Sequence, residues 1–242
     1  MCYSVFKTIR YHWKVTLFVL FFLPILIYLG CWQLDRAQQK RVLEAVYQQQ
    51  QALPAIPLQT VSEAVNLNYR NVTVQGHYNQ QQYWLLDNRA RDGKVGYEVI
   101  MPLVNEHYTV LVNRGWVKAP LHREQLPDIQ TPSETLFIEG QLYPAPQNAL
   151  IKHSQSDLVV NWPKRVLHLD HEDAKKILNN NVYPLILRIA DDSPSALVTQ
   201  WSHINMRPEK HQAYAVQWFA MALLLVGLYA WFLFREKRDS TF

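Results

Sequence analysis

Cysteine is nearly missing from this chain. Of 242 residues only Cys2, near the start, and Cys31, at the end of the first apolar run, are cysteines. The long middle stretch therefore holds no disulfide, no thiolate-ligated zinc and no dithiol redox pair. Such an absence fits an oxidising compartment without demanding one. Glycine is scarce too, with seven in all, which leaves little room for phosphate-cradling loops. Metalloprotease H-E-x-x-H, hydrolase G-x-S-x-G, phosphate-loop and dinucleotide signatures are absent, as are repeats and low-complexity tracts. The formal charge of +4 includes the basic flanks of the apolar runs, so it gives no reason to expect a nucleic-acid partner. No nucleophile–base pair emerges, and an enzyme is not expected.

What the chain does have is two long apolar runs, about Val15 to Cys31 and Trp218 to Phe234, each of about 17 residues. That length is the low end of what crosses a hydrocarbon core of roughly 30 Å. Aromatic residues extend both ends: Trp13 and Trp32 on the first, Tyr214, Trp218 and Trp231 on the second, as expected at membrane interfaces. Two transmembrane helices are predicted, at 15–34 and 213–234, with membrane lipid as their surroundings. A basic start before an apolar run also fits a signal peptide, and Tyr28-Leu29-Gly30-Cys31 hints at a lipoprotein cleavage site. The run exceeds the roughly 7–15 residues of a signal core, Tyr28 stands where an aliphatic is wanted, and Trp32-Gln33-Leu34-Asp35-Arg36 continues as helix. A retained anchor is the preferred reading. Lys7, Arg10, Lys14, Arg235, Lys237 and Arg238 lie outside the spans, against Arg36, Lys40, Arg41, Arg207 and Lys210 on the domain side. This small excess puts both termini, 1–14 and 235–242, in the cytoplasm or matrix.

Residues 35–212 then form one domain on the far side. Gln33 to Gln51 prolongs the first helix until Leu53-Pro54-Ala55-Ile56-Pro57 breaks it, and a short helical piece is expected over Val61 to Ala64. From Tyr69 the pattern changes to period two. Strands are predicted at Tyr69–Tyr78, Tyr83–Asp87, Val95–Val104, Tyr108–Val117 and Leu136–Tyr143, with a turn at Arg91-Asp92-Gly93-Lys94. Asp170 reads as the N-cap of a helix with acids in its first turn, ending near Leu178. A last strand spans Val182 to Ala190, placed at a sheet edge because of Pro184. The predicted fold is a membrane protein: two transmembrane helices bracket an α+β, antiparallel-sheet-rich domain, a meander that could curl towards a barrel.

Several clusters invite a chemical reading. His168-Leu169-Asp170-His171-Glu172-Asp173 resembles a metal cluster, yet a helix cap explains the same acids. Asn71-Val72-Thr73 fits a glycosylation acceptor but lies inside a predicted strand. Asn113-Arg114-Gly115-Trp116-Val117 is either an exposed binding surface or, preferably, a strand end whose arginine stacks on an aromatic ring. At the start of the second span, His211, Tyr214, Ala215 and Trp218 recur at helical spacing. With the domain on one side, this end of the second span shares a membrane face with Trp32, Gln33 and Arg36. His211 is then either an interfacial histidine bonded to water and headgroups or an axial haem ligand. In the second case Tyr214 and Trp218 give flat contact and Arg36 pairs with a propionate.

His211-Gln212-Ala213-Tyr214-Ala215-Val216-Gln217-Trp218 resembles the H-x-x-Y-A-x-Q-W signature of the surfeit locus protein 1 family. Trp32-Gln33-Leu34-Asp35-Arg36 resembles that family's W-Q-x-x-R segment. Tyr69-Arg70-Asn71-Val72 with Gly76 and Tyr78, and Asn113-Arg114-Gly115-Trp116-Val117, match two more family patterns in order. The resemblance covers nearly the whole chain, except that residues 153–165 have no counterpart. It implies a non-enzymatic assembly factor for haem-copper cytochrome c oxidase, in a bacterial inner membrane with a periplasmic domain. It further implies haem a as cofactor, with His211 as iron ligand; the shared membrane face is what places Trp32, Arg36, Tyr214, Gln217 and Trp218 around it. The oxidase core subunit is the implied partner, with haem a synthase a further candidate. The alternative is a haem-free protein–protein scaffold in which His211 only anchors the helix at the interface.

Overall fold

The computed structural model describes residues 12–61, 67–144, 162–169, 171–178, 181–201 and 207–239. The chain separates into two compact units, one made of Met1–Ala45 and Ser202–Phe242, the other of Val46–Trp201. Helix α1, Trp13–Gln51, is a single 39-residue helix that carries Pro24 in its interior. The outward continuation expected from the sequence is therefore present. At 1.5 Å per residue such a helix is about 58 Å long, so an apolar first half leaves a polar second half to spare. Both α1 and the last helix, α3 at Pro208–Asp239, are long and apolar enough to cross a membrane.

The second unit is a sheet-rich barrel. Its strands are β1 (Ile56–Pro57), β2 (Asn71–Tyr78), β3 (Trp84–Arg91), β4 (Lys94–Val104), β5 (Thr109–Lys118), β6 (Leu136–Tyr143), β7 (Lys164–Val166) and β8 (Val182–Ile189). A helix, α2 at His171–Leu178, precedes β8. Strands β2, β6, β8, β5 and β4 close into a ring, because β2 pairs with β6 along one edge and with β4 along the other. Closure rests on His77 opposite Val104 and Tyr78 opposite Leu103. A Cβ on Gly76 would lie 2.6 Å from the Val104 carbonyl oxygen, so glycine permits the approach that shuts the ring.

Alternation along the strands builds two cores. Val74, Leu85, Val99, Met101, Val112 and Ile138 belong to the inner one. Trp84, Leu86, Ile100 and Leu111 face the other way, onto Leu169 and onto Ala174 of α2. The start of β3 and the middles of β4 and β5 are thus covered on both faces, and there the sequence is apolar at successive positions. The β3–β4 hairpin turns on Asp92 and Gly93, both at positive φ, the backbone a two-residue primed turn requires.

Four expectations need correction or limits. The sheet is not a simple meander: β6 returns to β2, and β8 inserts between β6 and β5, parallel to β5. Period-two patterning identifies a strand and its buried face, but it does not name the partner. Strand β8 is therefore interior, not at an edge. Pro184 is tolerated because the β5–β8 register is irregular between Thr109 opposite Val182 and Leu111 opposite Ile186, and a bulge spares the missing N–H. A 3-10 turn occupies Leu58–Thr60 and Val61 after it is extended, while the rest of the helical piece expected over Val61 to Ala64 lies outside the described residues, which omit 62–66. Asp170 and residues 153–161 also lie outside them; His171 opens α2 and its Nε2 meets the Val182 carbonyl at 2.8 Å.

Candidate functional site

The helical unit is an antiparallel pair whose polar groups mark its two ends. Thr16 Oγ1 and the Tyr229 hydroxyl are 2.8 Å apart, and His12 meets Phe232 edge-on at 5.0 Å. Further along, a Cβ on Gly30 would lie 2.6 Å from the Phe219 ring, so a hydrogen side chain lets that ring seat against α1. At the far end the Nδ1 of His211 lies 2.8 Å from Gln33 Oε1. The stretch from Thr16 to Gln33 is about 26 Å at 1.5 Å per residue, comparable with the roughly 30 Å of a hydrocarbon core. The two polar contacts thus lie one apolar thickness apart.

Around His211 the sequence-predicted residues separate into two sets. His211, Ala215 and Trp218 recur every three to four residues and are half-buried or buried, Ala215 at only 1% exposure. Tyr214, at 46% exposure, and Gln217 fall outside that strip and are exposed, since the 100° step per residue puts Gln217 about 120° from His211. On α1, Trp32 is exposed and Arg36 lies over its ring at 5.5 Å. Arg36 also donates through Nη1 to Gln39 Oε1 at 2.9 Å, while Gln39 donates to Asp35. The structure therefore joins Gln33 to His211, and Trp32 to Arg36. His211 Nε2 has no partner among the described residues, and its Nδ1 is engaged.

The other motif works differently. Arg114 is 2% exposed, which overturns its reading as an exposed binding surface. Its Nε donates to the Ser195 carbonyl at 2.8 Å, Nη1 to Thr131 Oγ1 at 2.9 Å and Nη2 to the Gln130 carbonyl at 2.9 Å. The guanidinium also lies over the Tyr78 ring at 5.1 Å, as the aromatic-stacking alternative anticipated. Burial lowers its pKa from the ordinary arginine value, and the neighbouring Tyr78 opposes that shift. Tyr78 itself, with its hydroxyl 3.0 Å from Ser195 Oγ, is pushed up to about 12 by burial. Gly115 holds φ +114, and a Cβ there would sit 2.7 Å from the Val198 carbonyl oxygen. Trp116 bridges to Val198 and donates through its indole N–H to the Arg89 carbonyl at 2.8 Å. The motif is a seam that ties the returning segment, residues 193–201, to the barrel wall.

Sequence reasoning missed two arginines that reinforce this seam. Arg91 donates to the carbonyls of Val198, Thr199 and Gln200 at 2.9, 3.0 and 2.9 Å. Arg188 stacks 3.4 Å from the Tyr143 ring centre and faces Trp201 at 5.1 Å; burial lowers its pKa from the usual value. For Arg188 the available sequence signal was an arginine inside an apolar strand, which must find acceptors or a ring; Arg91 read only as part of the Arg91–Lys94 turn. Among the described residues, no group of three or more His, Cys, Asp or Glu could hold a metal ion. Glu172 and Asp173 stand in the first turn of α2, where acids suit the helix dipole.

A family model described as "SURF1 family" matches residues 20–223. The chain belongs to the SURF1 family. A SURF1-like protein of Rickettsia bellii is 29% identical over 225 residues, covering 89% of either chain. The cytochrome oxidase assembly protein SHY1 of Saccharomyces cerevisiae is 30% identical over 110 residues, 43% of this chain and 28% of its own. An uncharacterized SURF1-like protein of Mycobacterium tuberculosis is 25% identical over 195 residues, covering 76% and 70% of the two chains. The SURF1 match takes in the Trp32–Arg36 and Asn113–Val117 segments and the His211–Trp218 signature, so both kinds of site described above fall within it.

Proposed function

We propose that this chain assists assembly of haem-copper cytochrome c oxidase from a bacterial inner membrane, holding haem a on His211 for delivery to the core subunit. Membership of the SURF1 family across 20–223, with SHY1 named for cytochrome oxidase assembly, supports the assembly role. The Gln33–His211 contact supports the haem role, because it leaves one imidazole nitrogen engaged and the other without a partner among the described residues. The donor set fits haem. A neutral imidazole suits iron, Trp218 offers a flat ring on the same strip about two turns along, and exposed Arg36 can meet a propionate. Haem iron, when bound, would accept the lone pair of one imidazole nitrogen. The packing of Phe219 on Gly30 and of Thr16 on Tyr229 supports the first helix as a retained anchor. The barrel then lies in the periplasm, with both termini in the cytoplasm.

The alternative, a haem-free scaffold that holds an oxidase subunit through the barrel and the span ends, cannot use Arg114 as a contact, because that residue is buried. The test is disruption of the gene in its own host, with oxidase haem a read from the reduced spectrum of the membranes. Oxidase lacking haem a, restored by the wild-type gene and not by His211→Ala, is the expected result. Full haem a occupancy without the gene would sink the proposal.

A further inference from the structure

The register of the helix pair carries more than a candidate ligand. Thr16 on Tyr229 at one end and Gly30 under Phe219 in the middle set how α1 and α3 slide past each other. In that register the half-buried Gln33 is level with the half-buried His211, and its carboxamide oxygen is 2.8 Å from Nδ1. A carbonyl oxygen can only accept a hydrogen bond, so Nδ1 must carry the proton. A neutral imidazole has one N–H and one lone pair, and fixing the first fixes the second on Nε2. Nε2 has no partner among the described residues. A neutral amide does this without placing a carboxylate at the edge of an apolar span, where charge is costly.

We propose that Gln33 is the positioning residue of this site: it holds His211 as the Nδ1–H tautomer and turns Nε2 outward as the ligating atom. The ligation half rests on the haem reading above, whereas the tautomer half does not. Groups that hydrogen-bond the far nitrogen of a ligating histidine set its tautomer and ring orientation, and losing them typically weakens binding by roughly 10–100-fold.

The experiment uses the full chain, haem-free, in lipid nanodiscs with nitrogen-15 histidine. Long-range proton–nitrogen correlation above neutral pH reports which ring nitrogen carries hydrogen. The expected result is Nδ1–H for His211 in wild type and in Gln33→Glu, with a tautomer mixture in Gln33→Leu. An Nε2–H ring in wild type, or an unchanged Nδ1–H ring in Gln33→Leu, overturns the proposal. Hemin is then titrated into the same samples. Gln33→Leu should bind about tenfold more weakly, and Gln33→Glu should keep wild-type affinity. An altered tautomer with unaltered hemin affinity overturns the positioning role. Hemin bound as tightly by His211→Ala as by wild type overturns the haem reading and the ligation half with it, while the haem-free spectra still decide the tautomer.

Discussion

The barrel and the helix pair use polar side chains in opposite ways. In the barrel, Arg114 is sealed in and spends its donors on backbone carbonyls and a threonine hydroxyl. Arg91 likewise gives itself to three consecutive carbonyls. These are the acceptors that a closed sheet leaves over where a segment returns across its end. In the helix pair the backbone satisfies itself, so a polar side chain has no such duty. There His211 has one nitrogen held by Gln33 and the other without a partner among the described residues. Two motifs of one family thus differ in kind: the barrel motif builds the wall, and the helix motif leaves one ring nitrogen unpaired among the described residues.

The largest expected effect comes from breaking the wall. Arg114→Ala strands the Ser195 and Gln130 carbonyls and removes the ring contact with Tyr78. A loss on the order of 3–5 kcal/mol is expected, read as a shifted midpoint in chemical unfolding of the full chain. Arg114→Lys should not rescue it, because one ammonium cannot reach acceptors arranged for a fork. An unfolding midpoint equal to wild type would erase the contrast.

Next is alkaline pH. Tyr78 keeps its proton in the native state up to about 12, whereas in the unfolded chain it yields it near pH 10. Between those values the unfolded state binds fewer protons, so stability falls as pH rises. Tyr78 accounts for about 2–3 kcal/mol of that fall. Unfolding of Tyr78→Phe between pH 9 and 12 should show a correspondingly shallower decline.

In the helix pair, Gly30→Leu drives a side chain into the Phe219 ring and should cost about 1–3 kcal/mol of packing. Spin labels at exposed Leu17 and Leu228 should then report a broadened distance, with the barrel's unfolding midpoint unmoved. Arg36→Ala is the smallest in stability, at most about 0.5 kcal/mol, since Arg36 and its partners Gln39 and Trp32 are all exposed. Haem retention should nevertheless fall if Arg36 meets a propionate, and this separation of binding from stability is what sharpens the comparison.

Much of this contrast was legible in the residues, though unevenly. Strands β2, β4, β5 and β6 follow from period-two alternation to within a residue or two, and α2 follows from its acidic first turn. Strand order did not follow, because alternation is blind to partners. Pro184 pointed to an edge only because a bulge inside the β5–β8 pairing cannot be seen in one strand alone. At the site, helical spacing placed His211, Tyr214, Ala215 and Trp218 on one face, of which the structure packs His211, Ala215 and Trp218, and the shared membrane face brought Gln33 into reach. It did not show that Tyr214 and Gln217 turn away. That depends on where α1 packs, which Gly30 and Phe219 decide across 189 residues of sequence.

One measurement bears most directly on the claim that the helix motif, and not the barrel motif, holds the working atom. The full-length protein is purified from cells that make haem a, and haem is counted per chain for wild type and for His211→Ala. The account predicts bound haem a in wild type and its loss in His211→Ala with unfolding unchanged. Equal haem in both would contradict it.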